Sequence, residues 1–232
     1  MELIKHIDFT KSTSLDQNLW NIRTGDKWAN NELQHYVDNS NNLFFDDGLV
    51  IRATYDGENY YSSRLDTKNK FSFKYGKIEI IAKVPEGKGT WPALWLMPEK
   101  DIFGNWPKSG EIDIMEHVGR DLNNVFLCIH SESYNHVKNT HLHKEVIISN
   151  ASTEFHKYAI LWNENEITYY IDNKEVVSYK KEKLQDQTKS GWPFDNEFYL
   201  IMNLAIGGKF GGKVDNDIFP KDFTIKDIKV WQ

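Results

Sequence analysis

The stretch GEIDIMEHVG, residues 110–119, carries three carboxylates, Glu111, Asp113 and Glu116, inside an otherwise apolar run. Their spacing is i, i+2, i+5. On a helix, Asp113 and Glu116 would sit about 200° and about 140° around from Glu111, so no single face holds all three. On a flat strand Glu111 and Asp113 share a face and Glu116 points to the other. One extra unpaired residue, a β-bulge at Ile114 or Met115, would return Glu116 to the face of its partners. Reading the stretch as a bulged strand thus gives a wall of three acids with apolar residues behind it.

The rest of the chain favours a β-fold. Segments 74–84, 111–115, 124–131, 144–149, 156–162, 166–172, 174–179, 197–206 and 223–231 are rich in β-branched and aromatic residues. Turn signals separate them: DDG at 46–48, DG at 56–57, PEGKG at 85–89, DN at 172–173, and GG at 207–208 and 211–212. The stretch 166–179 reads as a hairpin turning at Asp172 and Asn173. Only LDQNLWNI (15–22) and KKEKLQDQ (180–187) resemble short helices. Strands do not alternate with long helices, which argues against a parallel α/β sheet. The expectation is an all-β chain, residues 1–232 forming one domain, as a two-sheet antiparallel sandwich.

Composition limits the function classes. The chain has 232 residues with a formal net charge of −6, which disfavours a groove built for phosphates. No apolar run approaches the ~20 residues of a membrane helix. The single cysteine, Cys128, lies in the apolar run VFLCI and is expected to be a buried thiol rather than a nucleophile. The N-terminal MELIKHIDF has no signal-peptide core, which fits an intracellular chain or a trimmed one. Aromatic residues reach 14%, with eight Trp. Trp91 and Trp95 in TWPALW are four apart, so a strand presents them on one face, and Trp106 follows in NWP.

Paired carboxylates beside exposed rings suit glycoside cleavage, in which one carboxylate attacks the anomeric carbon and another protonates the leaving oxygen. Such a proton donor carries a pKa raised to about 6. The same acids could instead form a solvated strand face, hold a hard cation such as Ca²⁺, or remain as a dead site in a binding module.

GEIDIME, with GTWPALWLMP upstream, resembles glycoside hydrolase family 16, and within it the laminarinase-like endo-β-1,3-glucanases. WANNELQHY (28–36), residues 62–89, FHKYAILWNENEITYYID (155–172) and LIMNLAIGGKFGG (200–212) extend the resemblance over nearly the whole chain. It implies a β-jelly roll with a concave substrate cleft and retaining hydrolysis of a β-1,3-glucan such as laminarin. Glu111 would be the nucleophile and remain ionised, Asp113 would assist, and Glu116 would be the acid/base. It also implies substrate contacts from Asn30, Arg64, Trp91, Trp95, Trp106, His130 and Asn203, with Glu32 and Gln34 either facing the cleft or structural.

No catalytic cofactor is implied. A structural Ca²⁺, as in many members, would fall at Asp8, Gly48 and Asp227. The resemblance further implies a monomer acting on polysaccharide outside the cytoplasm, at the cell surface or in the periplasm, with no nucleic-acid or membrane partner. Met115 argues against a mixed-linkage specialist, whose catalytic strand lacks the bulge. Mixed-linkage β-1,3-1,4-glucan, another β-linked polysaccharide, or a non-catalytic glucan-binding module are the alternatives. The segment 128–146 departs from the family pattern with His130, His136, His141 and His143. His141-x-His143 could bind a transition metal or simply shape a polar cleft rim.

Overall fold

The computed structural model describes residues 1–232 as two packed sheets, a jelly roll built almost entirely of antiparallel strands. The larger sheet runs, from one edge, Lys174–Lys180, Glu166–Ile171, His156–Asn163, Gly76–Lys83, Lys221–Trp231, Leu49–Tyr55, Tyr60–Ser62 and Gln34–Tyr36. Leu3–Asp8 adds to the Lys221–Trp231 strand, and Leu43–Phe45 to the Leu49–Tyr55 strand. The smaller sheet runs Leu142–Ile147, Asn124–His130, Glu111–His117, Thr90–Pro98, Phe198–Ile206, Arg64–Asp66 and Asn21–Arg23, with Ser72–Phe73 also on the Phe198–Ile206 strand.

Period-2 alternation builds the core. Along Gly76–Lys83, Ile78, Ile80 and Ala82 are buried and face the other sheet. Along Thr90–Pro98, Leu94 and Leu96 enter the same core while Trp91, Ala93, Trp95 and Met97 face outward. Phe198–Ile206 is buried throughout: Leu200, Met202, Leu204 and Ile206 join the core, and Asn203 and Ala205 form part of the cleft floor. The outer face of the smaller sheet is therefore left free, and the cleft lies on it.

The expected hairpin is present. Its strands, Glu166–Ile171 and Lys174–Lys180, are joined by Asp172 and Asn173 at φ 50° and 68°. Two left-handed residues match the twist of the flanking strands.

Neither expected helix forms. Residues 17–19 make a single turn, with Leu19 and Trp20 buried, and the chain enters the Asn21–Arg23 strand at once. Residues 180–187 contain one 3-10 turn, Lys181–Lys183. Leu19 and Trp20 in the first segment, and the half-buried Leu184 in the second, pack on the sandwich through a turn, which needs no helical stripe. The one α-helical turn, Gly208–Gly211, lies where the sequence signals only turns. Gly208, at φ +71°, packs against the Asn30 carbonyl, which a Cβ would approach to 2.9 Å. This close approach holds the Ala29–Asn31 loop against one end of the cleft.

Candidate active site

The register around the acid strand locates the bulge. Against Thr90–Pro98, Leu94 pairs with Met115 and Trp95 with Asp113, so Ile114 is skipped. Against Asn124–His130, Asp113 pairs with Cys128 and Glu116 with Phe126, leaving Ile114 and Met115 opposite the single Leu127. Ile114 is therefore the extra residue. Ile112, Ile114 and Met115 all enter the core, one more than a single bulged residue behind the acids would supply. Glu111, Asp113 and Glu116 all line the cleft.

Two lobes of about 440 Å³ and about 380 Å³ meet at Glu111 and Glu116, and Asp113 lines the larger. Both lobes share Asn30, Trp91, Glu111, Glu116, His136 and Lys209. Arg64, Trp95, Trp106 and Asn203 line the first, and His130 the second. All ten expected catalytic and substrate-contact residues thus lie along one cleft.

Indole N–H groups hold the carboxylates. Trp91 Nε1 donates to Glu116 Oε1 at 2.9 Å, and Trp106 Nε1 donates to Glu111 Oε2 at 2.9 Å. Trp95 Nε1 instead donates to Asn203 Oδ1 at 2.7 Å, and Asn203 Nδ2 donates to the Tyr36 hydroxyl at 3.0 Å. Arg64 is sandwiched between Trp28 and Trp95, its guanidinium carbon 4.9 Å from each ring centre. This cation–π stack fixes two platforms at once. Glu32 lines the first lobe, whereas Gln34 is structural: it donates to Glu32 at 2.8 Å and accepts from the Ile206 amide at 2.7 Å.

No lysine or arginine forms an ion pair with the three acids. His130 Nε2 lies 3.4 Å from Asp113 Oδ2 and 3.7 Å from Glu111 Oε1. Burial raises the Glu111 carboxyl well above its ordinary range, and the charges of Asp113 and Glu116 add to the shift. Burial and then Glu116 do the same for Asp113, and burial raises Glu116. Desolvation thus raises all three carboxyls, with repulsion from neighbouring acids adding to it, rather than raising Glu116 alone. Their protons belong to the cluster rather than to one residue.

Trp28 and Lys209 also line the cleft and escaped the sequence reading, and His136 lines it from the His-rich segment read as a possible cleft rim. Trp28 begins the WANNELQHY block, two residues before Asn30, and that proximity was the available signal. The His136 ring packs at a tilt of 36° against Trp106, ring centres 5.1 Å apart. Cys128 is buried, as expected.

The family profile of glycosyl hydrolases family 16 matches residues 27–218. The chain belongs to that family. Over its full length it is 37% identical to the beta-glucanase of Rhodothermus marinus, of which it spans 85%, and 36% identical to glucan endo-1,3-beta-glucosidase A1 of Niallia circulans, of which it spans 38%. The crystal structure of laminarinase from Flavobacterium sp. UMI-01 superposes with a TM-score of 0.92 at 39% identity, with both chains fully covered. The family 16 reaction requires no catalytic cofactor. No helix of the chain is long and apolar enough to cross a membrane.

Proposed function

We propose that residues 1–232 act as one catalytic domain that cleaves β-1,3-glucosidic bonds within laminarin-type glucans, with retention of anomeric configuration. The observation that carries this reading is the bulged strand, which aims three carboxyls at the junction of two lobes. Glucosyl units in the lobes would stack on Trp28, Trp91, Trp95 and Trp106, with hydrogen bonds from Asn30, Arg64 and Asn203. Glu111 attacks the anomeric carbon while Glu116 protonates the leaving oxygen, and a covalent glycosyl-enzyme forms. Glu116 then takes a proton from the water that hydrolyses it. Asp113 lies between them and shares the cluster's proton, so Glu111 can be ionised when it attacks. Lobes on both sides of the acids favour internal cleavage.

A neutral polymer suits this cleft, since Arg64 and Lys209 stand among Glu32 and the acid trio and do not make the basic lining that sulfated chains would need. We infer that the protein works as a monomer, outside the cytoplasm, without nucleic-acid or membrane partners. Mixed-linkage glucan is the second reading, because stacking platforms hold a glucosyl ring whichever linkage follows it.

A structural Ca²⁺ has no place in this proposal. Asp8 and Asp227 do face each other across paired strands. Yet Asp8 accepts from the Thr10 hydroxyl at 2.6 Å and pairs with Lys11 at 3.0 Å. Asp227 is bonded to His6 at 2.7 Å and Lys229 at 3.2 Å. The Asp8 and Gly48 carbonyls accept from Ser12 and Asp46. The carboxylates are already paired with cationic groups and each carbonyl accepts a hydrogen bond, contacts that a hard cation would have to displace.

Reducing-sugar release from laminarin, measured on wild type beside Glu111→Ala, tests the function. Loss of three or more orders of magnitude in the variant alone is expected for a residue acting as part of a catalytic unit. Equal activity in both would remove Glu111 from the chemistry. Cleavage of mixed-linkage glucan in preference to laminarin would move the reading to the second substrate.

A further inference from the structure

The proposed hydrolysis leaves Cys128 and His130 in the cleft without a task. Cys128 pairs directly with Asp113 across the strands, and His130 with Glu111. Residues two apart share a strand face, so the thiol and the imidazole stand opposite the two carboxyls. Cys128 Sγ lies 3.3 Å from His130 Nε2, which lies 3.4 Å from Asp113 Oδ2. Asp113 is 3% exposed, and its Oδ2 has no hydrogen-bond partner.

We infer that Asp113, Cys128 and His130 form a binding site for a soft divalent transition ion of the Zn²⁺ class, and that its occupancy switches the hydrolase off. The donor atoms of the three residues all lie within 4.8 Å of one another. A tetrahedral ion with bonds of about 2.0–2.3 Å has ligand-to-ligand edges of about 3.3–3.8 Å. The two measured edges, 3.3 Å and 3.4 Å, already fall in that range. One sulfur, one nitrogen and one carboxylate oxygen suit Zn²⁺ or Co²⁺ and not Ca²⁺ or Mg²⁺. The fourth position opens toward the second lobe, which Cys128 and His130 line and which gives an ion its path inward. On binding, the thiol proton and any proton on the Asp113 carboxyl leave to solvent as the metal–sulfur and metal–oxygen bonds form. The ion's charge offsets the cluster of carboxylates that no lysine or arginine neutralises. It also ties up Asp113 and places a cation on the cleft wall between Glu111 and Glu116, which is how it would inhibit. The inhibition half of the inference rests on the proposed hydrolase function; the binding half does not.

The test is a Co²⁺ titration of the full chain, followed by the thiolate-to-cobalt charge-transfer band. One ion per chain with that band is expected, displaced by Zn²⁺ and unaffected by Ca²⁺ or Mg²⁺. Cys128→Ser should lose the band and bind Co²⁺ at least about tenfold more weakly. Absence of the band in wild type overturns the site, whether no cobalt binds or it binds elsewhere, for instance on His141 and His143; this readout needs no variant to fold. In parallel, Zn²⁺ should lower laminarin hydrolysis at least tenfold, with recovery on chelation. Full activity with the site loaded overturns the switch. A chain that shows the cobalt band but never cleaves a glucan would sink the proposed function and leave the metal site standing.

Discussion

The protein carries two sets of facing acids, and the difference between them lies in what surrounds the carboxylates. Asp8 and Asp227 stand directly opposite each other on antiparallel strands, an arrangement that repels. Lys11, Lys229, His6 and the Thr10 hydroxyl relieve that repulsion. The Thr10 hydroxyl bond and Lys11 hold the Asp8 carboxyl down to about 2. In the cleft, Glu111, Asp113 and Glu116 receive two indole N–H bonds and one nearby imidazole, and burial pushes all three upward. Acids compensated by cations tie strands together. Acids left desolvated and uncompensated keep protons available for transfer, at a cost in stability.

The largest effect expected from breaking that contrast is on the chemistry. Glu116→Ala should lower laminarin turnover about 100- to 10,000-fold, the usual worth of a positioned proton donor. Azide in the space left by the side chain should restore cleavage of substrates with good leaving groups. The anomeric configuration of the product separates the two glutamates. With Glu116 missing, azide displaces the Glu111 ester and gives a β-glycosyl azide. With Glu111 missing, azide attacks the sugar directly and gives the α product. Exchanged configurations would exchange the roles.

A smaller effect sharpens the comparison through pH. Glu116 has a folded pKa above its unfolded value, so its stabilising contribution is full below the unfolded value, about 4.3, and is lost as pH rises through the folded one. Asp8 has the opposite sign: its contribution is present above the ordinary aspartate value of about 3.9 and is lost as pH falls toward about 2. Glu116→Gln should therefore gain in Tm relative to wild type as pH goes from 4 to 8. A difference that stays constant, or widens toward acid, would mean that Glu116 is not held protonated. Raising the pH should also depress wild-type kcat/KM, as Glu116 loses the proton it donates.

The residues that carry the cleft were legible to different degrees. The bulge followed from i, i+2, i+5 within an apolar run, because period-2 alternation leaves no other way to gather the acids. Which residue bulges was not legible, since Ile114 is singled out only by the register on both flanking strands. Tryptophan is ambiguous in sequence because the same ring fills a core or walls a cleft. Trp20, Trp162 and Trp192 are buried in the core, while Trp28, Trp91, Trp95 and Trp106 line the cleft. The first seventy residues were least legible. Their strands Asn21–Arg23, Gln34–Tyr36 and Arg64–Asp66 span three residues each, too short to show a period. The pairing of Cys128 with Asp113 depends on strand register, which no spacing within one segment reveals.

The smallest expected effect concerns the compensated pair. Adding Ca²⁺ to metal-free protein should move Tm by less than about 1 °C. An ion present at 100 times its Kd would add about 2.7 kcal/mol. For a chain of this size that is about 5–11 °C, because each kcal/mol is worth about 2–4 °C. To bind, the ion would have to displace Lys11 and Lys229 from the carboxylates and take the Gly48 carbonyl from the Asp46 amide. Those contacts already supply the positive charge and the donors that Ca²⁺ would replace, so the exchange gains little. A rise of several degrees would show that the lysines yield to the ion. The distinction between the two acid sets would then rest on burial alone, since both would accept a cation.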